Sequence, residues 1–170
     1  ILKHILNSAG ISRFSNDQMD MVRLGIGLYG VGVNEQEQKQ LQNVSTLKTT
    51  ISQIKNIPVN DSIGYSRKWI AKHNMKIATV PIGYADGLSR KLSNGKGKML
   101  VNEDLATIVG NVCMDMCMID ITGINVNEGD EVIVFGEKNS ILSIAKNLDT
   151  IPYEVLTNVS RRVKRVYYQE

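Results

Sequence analysis

The sequence predicts a mainly β protein, in which an antiparallel β domain with a few short helices follows the tail of another domain. From about residue 41 onward, short segments rich in β-branched residues are separated by Gly, Asn and Asp, a pattern typical of antiparallel strands. An Asn-Gly pair in "LSNGKGK" predicts a hairpin turn. Polar "NEQEQKQ", at 34–40, is the best linker candidate, so we predict domains at 1–36 and 37–170.

The N-terminal part does not show this pattern of short strands. "ILKHILNSAG" predicts a short apolar segment that ends in a loop at Asn-Ser-Ala-Gly. "SNDQMDMVRLG" predicts a short helix that has Ser15 as its N-cap and ends at Gly25. "IGLYGVGV" predicts a strand or an extended segment before the linker.

The C-terminal part reads as strands followed by two helices and a strand. Strands are predicted within "LQNVSTLKTTISQIKNI", "KIATVPIGY", "GKMLVNEDLATIVGNVCMDMCMIDIT" and "DEVIVFG". "NSILSIAKNLDTIPYEVLTNVS" has helical periodicity that is interrupted before Pro152, which predicts two short helices. Alternation in "RRVKRVYY" predicts a last, solvated strand.

Composition places the chain among globular proteins. Of its 170 residues, 42% are hydrophobic and 22% are charged. A net charge of +3 argues against nucleic acid or an acidic membrane surface as a partner. No apolar run approaches the roughly 20 residues of a membrane span, and no signal peptide is recognised. Because the chain begins at Ile1 rather than Met, we treat it as a candidate fragment.

Two cysteines lie four positions apart in "VCMDMCMID". If this stretch is a strand, the Cα atoms of Cys113 and Cys117 are about 13 Å apart, whereas a disulfide requires less than about 7 Å. We therefore predict free thiols, which suit a reducing cytoplasm. Soft sulfur ligands would suit Cu(I), but neither histidine lies nearby, and we predict no metal site.

Several polar motifs each allow two interpretations. Arg23 in "RLGIG" suits an anion or a ring nitrogen, and equally a helix C-terminus. The small residues at 7–10 suit a phosphate or an ordinary loop. Tyr84 and Asp86 in "PIGYADG" form either a ligand-directed turn or a plain β-turn. Taken singly, none of these motifs assigns a function.

Taken together, "HILNSAG", "MVRLGIGLYG", "GYS", "IATVPIGYADG", "IVGNVCMD" and "IPYEV" resemble alanine racemase over essentially the whole chain. The resemblance implies the end of a (β/α)₈ barrel followed by a barrel-like antiparallel β domain. It also implies a pyridoxal 5'-phosphate cofactor and the interconversion of L-alanine and D-alanine for peptidoglycan. The implied assembly is a head-to-tail homodimer in the cytoplasm whose sites are shared between subunits.

The resemblance also assigns residues. Tyr65 matches a catalytic base, in "GYS" where the family usually has Ser-Tyr-Gly. The substrate region is matched by Met114, acting through its backbone, by Asp115, and by Tyr84 at the entrance. The cofactor-binding positions matched are His4, Ser8, Arg23, Gly25, Ile26 and Tyr153.

Two family positions have no match in this sequence: the lysine that binds the cofactor and acts as the second base, and the arginine that flanks the tyrosine. We therefore expect these 170 residues to be inactive by themselves. Two alternatives stay open. One is a racemase of another small amino acid such as serine, and the other is a β-barrel module that serves only dimerisation.

Overall fold

The computed structural model describes residues 1–168 and divides the chain into two compact units, Ile1–Thr46 and Leu47–Glu170. The first unit contains a strand, a helix and a second strand that pairs in parallel with the first, Asn7 lying opposite Arg23. This is the unit that (β/α)₈ barrels repeat. Its elements are β1 (His4–Asn7), α1 (Ser8–Arg13), a 3₁₀ helix (Ser15–Asp17), β2 (Met21–Arg23), a 3₁₀ helix (Ile26–Tyr29) and α2 (Glu35–Gln38).

The local predictions for the first unit are largely wrong. The expected loop after Asn7 is α1, because Asn7 caps that helix by accepting a 3.0 Å hydrogen bond from the amide of Gly10. The expected helix beginning at Ser15 is a single 3₁₀ turn followed by β2, since the strand pairing with β1 competes successfully with helix formation. The expected strand or extended segment at 26–33 begins as a 3₁₀ helix, and the expected linker contains α2.

The second unit is mostly antiparallel β with a few short helices, which confirms the predicted fold class. In its described part, seven strands form one sheet in the order β3-β11-β8-β9-β10-β7-β4, and β5 and β6 form a separate hairpin. The strands are β3 (Leu47–Thr50), β4 (Gln53–Ile57), β5 (Ser62–Ile63), β6 (Trp69–Ile70), β7 (Met75–Val80), β8 (Lys98–Val101), β9 (Asp104–Val109), β10 (Cys117–Asp120) and β11 (Glu131–Phe135).

The chain connectivity requires this sheet to curl. Strands β3 and β4 lie at its opposite edges, yet only Ile51 and Ser52 separate them in the sequence. Six strand spacings would place the edges of a flat sheet about 29 Å apart, whereas so short a link reaches about 11 Å at most. Ile51 donates to Asp130 and Ser52 to Thr79, so the link closes over the sheet. The barrel-like shape follows from this connection.

The central strands are buried on both faces. In β10, Cys117 and Ile119 face the main core, while Met118 between them faces a smaller core. The same alternation occurs in β9, where Ile108 faces the main core and Val109 the smaller one. The hairpin of β5 and β6 supplies Ile63 to the smaller core. This packing seats the hairpin on the sheet, and the turn of the hairpin contains Tyr65.

The two helices predicted near the C-terminus are confirmed as α3 (Ile141–Leu148) and α4 (Pro152–Thr157). Pro152 occupies the first turn of α4, where its missing amide hydrogen costs nothing. No helix within residues 1–168 combines the length and the apolar character that crossing a bilayer requires.

Three predictions for the second unit need correction. Residues 161–168 form a turn and an irregular segment instead of the predicted last strand, whose partner strand is lacking in the described chain. The Asn-Gly turn at 94–95 joins a 3₁₀ helix to β8 and is not a hairpin. Residues 113–116 are a loop, so the strand predicted through "VCMDMCMID" begins only at Cys117. Both thiols are nevertheless free, as predicted.

Candidate active site

A small polar corner in the first unit centres on the side chain of Ser8. This residue is buried at the start of α1, and its Oγ accepts a 2.9 Å hydrogen bond from the amide of Gly25. Because the hydroxyl oxygen is the acceptor in that bond, the hydroxyl proton is left to donate elsewhere. Gly25 is one of the cofactor-binding positions expected from the resemblance, and its amide is engaged by Ser8.

Two backbone amides adjoin this hydroxyl. Ile26 and Gly27 begin a 3₁₀ helix, so their amides have no acceptor within it, and neither donates to any other group among residues 1–168. A Cβ on Gly27 would stand 4.0 Å from Ser8 Oγ, which makes the hydroxyl and this helix start close neighbours. Such a set of neutral donors suits an anion.

Arg23 and His4 lie on the paired strands of the same unit. Arg23, on β2, donates from Nη2 to the carbonyl oxygen of Ile5 at 3.0 Å. That bond orients the guanidinium and leaves its other N–H groups free to donate. His4, on β1, is exposed, and within the described chain it makes no hydrogen bond with Arg23. The structure thus brings the two onto neighbouring strands without a hydrogen bond between them.

The second unit presents Tyr65 on the turn between β5 and β6. The side chain is 74% exposed, so the ring lies outside the hydrophobic interior. Gly64 has φ = 75°, and Ser66 and Arg67 have φ of 63° and 49°. Left-handed backbone is unfavourable for residues with a side chain, and two in succession mark a strained turn. Strain of this kind is a recognised feature of functional loops.

A second loop is bonded along its backbone to the turn that carries Tyr84. The amide of Tyr84 donates to the carbonyl oxygen of Cys113 at 2.9 Å, and the amide of Ala85 to that of Met114 at 3.0 Å. A Cβ at Gly83 would lie 2.3 Å from both of those carbonyl oxygens. Only glycine therefore permits this approach.

The first of these bonds indicates where the amide of Met114 points. A trans peptide directs its N–H opposite to its C=O. Since the carbonyl of Cys113 faces Tyr84, the Met114 N–H in the same peptide group faces away from that turn. This amide donates to no acceptor among residues 1–168, and the Met114 side chain is exposed.

Asn111 connects the Tyr65 turn to the Met114 loop. Its Nδ2 donates to the carbonyl oxygen of Tyr65 at 3.0 Å, and its Oδ1 accepts from Asn94 Nδ2 at 3.0 Å. The phenol-bearing turn is therefore attached three residues before Met114. Nothing local in the sequence marks Asn111, because a lone Asn in a loop carries no signal of its own.

Asp115 binds Arg162, a residue that sequence reasoning assigned to a solvated strand. Nη2 of Arg162 lies 2.6 Å from Asp115 Oδ1, and its Nε lies 2.7 Å from Asp86 Oδ1. The hydrogen bond to Asp86 makes the largest contribution to raising the pKa of Arg162, and the hydrogen bond to Asp115 makes the next largest. The partners are 47 and 76 positions away, so no local pattern could have revealed this cluster.

Tyr153 lies at the start of α4, where its carbonyl accepts a 2.8 Å bond from Thr157 Oγ1. Its phenol is exposed and has no hydrogen bond to Tyr65 or Met114 within the described chain. Across residues 1–168, no group of three or more His, Cys, Asp or Glu side chains is arranged to hold a metal ion. The structure thus assembles two clusters, one in each unit.

Comparison with known proteins gives one consistent family. Residues 44–167 match the family model "Alanine racemase, C-terminal domain". The chain is 48% identical to alanine racemase 2 of Caldanaerobacter subterraneus over 98% of its own length and 44% of that protein's. Against alanine racemase of Clostridium novyi it is 44% identical, covering 97% and 45%. The chain therefore spans less than half the length of these relatives.

Solved structures similar to this chain belong to the same family. Alanine racemase of Clostridium difficile superposes with a TM-score of 0.91 at 41% identity, covering 98% of this chain and 45% of that one. A structure of alanine racemase from Bartonella henselae with covalently bound pyridoxal phosphate superposes with a TM-score of 0.88 at 33% identity, covering 96% and 46%. These likenesses extend over both units.

Proposed function

Because the chain belongs to the alanine racemase family, we propose that it forms part of a pyridoxal 5'-phosphate enzyme that interconverts L-alanine and D-alanine. One observation carries this proposal beyond the family name. The exposed phenol of Tyr65 stands on a strained turn that Asn111 joins to the loop with the free Met114 amide. The phenol that would transfer a proton and the amide that would bind a substrate carboxylate are thereby held by the same connected loops.

The donor set of the first unit fits the phosphate of this cofactor. The hydroxyl of Ser8 and the amides of Ile26 and Gly27 are neutral donors that adjoin one another. Backbone amides and hydroxyls of this kind bind phosphate without needing a counter-charge. We propose that they hold the phosphate, with the hydroxyl of Tyr153 as a further donor.

Arg23 fits the pyridine nitrogen of the cofactor. Its guanidinium stays protonated, so it donates a hydrogen bond to a ring nitrogen instead of giving up a proton. The bond from Nη2 to Ile5 orients the group and leaves other N–H donors available. We propose that Arg23 has this role and that His4, on the neighbouring strand, steadies it.

The chemistry is divided between cofactor and chain. When bound, pyridoxal phosphate supplies the electron sink for the electrons released at the substrate α-carbon. We propose that Tyr65 Oη takes or returns the α-proton on one face, and that the Met114 amide binds the substrate carboxylate. Tyr84 lines the entrance. The carboxylate of Asp115 is paired with Arg162, so Asp115 contributes through the position of its backbone.

A second base is needed on the opposite face of the substrate. The family places a lysine there, and we infer that a segment outside these 170 residues supplies it. On this proposal the 170-residue chain is inactive alone. The complete protein is a head-to-tail homodimer, in which the Tyr65 turn of one subunit serves the cofactor held by the other.

The decisive test is Tyr65→Phe in the full-length protein, assayed for racemisation in both directions. Removing a proton-transfer group typically costs about 10²- to 10⁴-fold in rate, so we expect a loss of at least about 100-fold. Tyr167→Phe removes another exposed hydroxyl and should keep the wild-type rate. Wild-type activity in Tyr65→Phe would contradict the assignment. The same assay with L-serine measures the breadth of the substrate range.

Shared sites are tested by mixing two inactive proteins. Tyr65→Phe is combined with a variant lacking the cofactor lysine, and the subunits are allowed to exchange. A heterodimer then contains one site with both bases intact, so activity should return. If the mixture stays inactive although heterodimers form, each site belongs to a single subunit.

The biological setting forms part of the proposal. We propose that the D-alanine produced is used for peptidoglycan and that the protein works in the cytoplasm. The two free thiols agree with a reducing compartment. A strain without the gene should need added D-alanine to grow, and growth without it would argue against this role.

A further inference from the structure

Arg162 joins two loops that are far apart in the sequence. Its Nε binds Asp86 Oδ1 at 2.7 Å and its Nη2 binds Asp115 Oδ1 at 2.6 Å. Asp86 belongs to the turn that carries Tyr84, and Asp115 directly follows Met114. One planar guanidinium therefore connects the turn that carries Tyr84 to the loop that carries Met114. A guanidinium presents several donors in a rigid fork, which suits it to such bridging.

The Asp86 end of this bridge is firmly held. The Asp86 side chain is only 15% exposed, and its second oxygen accepts a 2.8 Å hydrogen bond from the amide of Gly83. The Asp86 carbonyl also accepts from the amide of Ser160 at 3.0 Å, two residues before Arg162. Asp86 thus binds Arg162 from a fixed position and also fastens the backbone beside it.

The Asp115 end is the part of the loop that needs support. Backbone bonds from Tyr84 and Ala85 hold the carbonyls of Cys113 and Met114. Beyond Met114, the Asp115 side chain is about half exposed, and Arg162 is its hydrogen-bond partner on another segment of the described chain. The carboxylate bond therefore fixes the peptide that follows Met114.

We propose that Arg162 is a positioning residue, which acts through Asp115 to hold the amide of Met114 in the orientation that receives a substrate carboxylate. This inference rests on the proposed function and identifies what orients the amide that would bind the substrate carboxylate. Without the bridge, the loop keeps the backbone bonds from Tyr84 and Ala85 and the 2.9 Å bond from the Cys113 amide to the Met116 carbonyl, but the Asp115 side chain loses its anchor and the peptides beside it move more freely. The amide then spends less time in the orientation that binds.

Exposed ion pairs contribute little to global stability. Both Arg162 and Asp115 are 48% exposed, so their contact is poorly placed to stabilise the fold, and the less exposed Asp86 keeps its bond from the Gly83 amide when Arg162 is replaced. Its removal should therefore change the loop without unfolding the unit. This separates a positioning role from a purely structural one.

The test uses the full-length enzyme with its cofactor and the variant Arg162→Met, which keeps the aliphatic stem. We expect KM for alanine to rise about tenfold with a smaller change in kcat, as for a lost carboxylate contact. Hydrogen exchange of the 113–116 segment, a readout independent of turnover, should quicken several-fold. Arg161→Met is the matched control, since Arg161 makes no hydrogen bond among residues 1–168.

Two further variants complete the test. Arg162→Lys, whose single ammonium cannot reproduce the fork, should show the same shifts in KM and exchange, and it replaces Arg162→Met if that variant does not fold. The double variant Asp115→Asn, Arg162→Met should have the same KM and exchange rate as Arg162→Met alone, because both changes affect the same contact between Arg162 and Asp115. Wild-type KM and exchange in the folded Arg162 variants would overturn the proposal.

The result is distinguishable from failure of the proposed function. If the wild-type enzyme does not racemise alanine, the proposed function fails whatever Arg162 does. In that case the exchange rates of the 113–116 segment still decide whether Arg162 holds the Met114 loop. If the wild type is active and only the Arg162 prediction fails, the proposed function stands.

Discussion

Asn111 donates a 3.0 Å hydrogen bond from its side-chain amide to the backbone carbonyl oxygen of Tyr65. The bond ties a strained turn to a loop 46 positions later in the sequence. Ser66 and Arg67, which follow Tyr65, both have left-handed backbone conformations. Because local preference opposes that conformation, the turn depends on bonds from outside it.

Asn111→Ala should therefore loosen the Tyr65 turn. A hydrogen bond of this kind contributes about 1 kcal/mol, which corresponds to about a fivefold change in an opening equilibrium. Trypsin cleavage after Arg67 or Lys68, followed by mass spectrometry, should accelerate by that factor. Asn147→Ala, at an exposed position on α3, should leave the cleavage rate unchanged. Equal rates in both variants would mean that the turn is held by other contacts.

Gly83→Ala should destabilise the second unit. The added Cβ would lie 2.3 Å from the carbonyl oxygens of Cys113 and Met114, so the two loops must separate. We expect a loss of about 1–3 kcal/mol in the free energy of unfolding, as for other overpacked sites, measured by urea denaturation. Gly123→Ala has φ = 80° but no atom within 4 Å, so it should incur backbone strain alone and lose less. A larger loss in Gly123→Ala would contradict the close approach.

Asn139→Ala should cost more stability than Asn147→Ala. Asn139 is 7% exposed, and its Nδ2 donates to the carbonyls of Val134 and Lys98 at 2.7 and 3.2 Å. Removing the amide leaves two carbonyls short of a partner, at about 1–3 kcal/mol. Asn147 makes one 3.3 Å bond at an exposed site, where water can replace it. Thermal unfolding of both variants provides the comparison.

Stability should fall in alkaline solution partly because of Cys117. Burial, with a smaller contribution from nearby Cys113, raises the pKa of Cys117 from near 9 to about 12. The unfolded chain loses this proton first, so the contribution of the thiol is intact below about pH 9 and is lost as pH rises towards about 12. Urea midpoints measured across that window should fall less steeply in Cys117→Val. Identical slopes would show that other groups cause the alkaline loss.

Fold class was predictable because it depends on patterns that are local in the sequence. Short β-branched segments and their Gly, Asn and Asp breaks predicted the antiparallel unit, and helical periodicity around Pro152 predicted α3 and α4. The resemblance to a family was equally visible, since it rests on several short motifs in a fixed order. The N-terminal elements were mostly misassigned, because the pairing of β1 with β2 decides them.

The candidate site was only partly predictable. Tyr65, Met114 and Arg23 could be named from motifs, whereas Asn111 and Arg162 could not, since the bonds that place them in the site span 46 to 76 positions. The loop at 113–116 was expected to be a strand because its apolar alternation suits one. Backbone bonds to Tyr84 and Ala85 hold it out of the sheet instead.

By itself, the sequence determined the kind of protein: a mainly β chain whose motifs resemble one enzyme family. Composition, periodicity and short motifs can be read from the sequence without knowing how distant segments meet. Only the tertiary structure decided that Tyr65 is exposed on a strained turn, that the Met114 amide is free, and that Arg162 bridges two carboxylates. Those features depend on contacts between distant segments, which come within hydrogen-bond distance only when the chain folds.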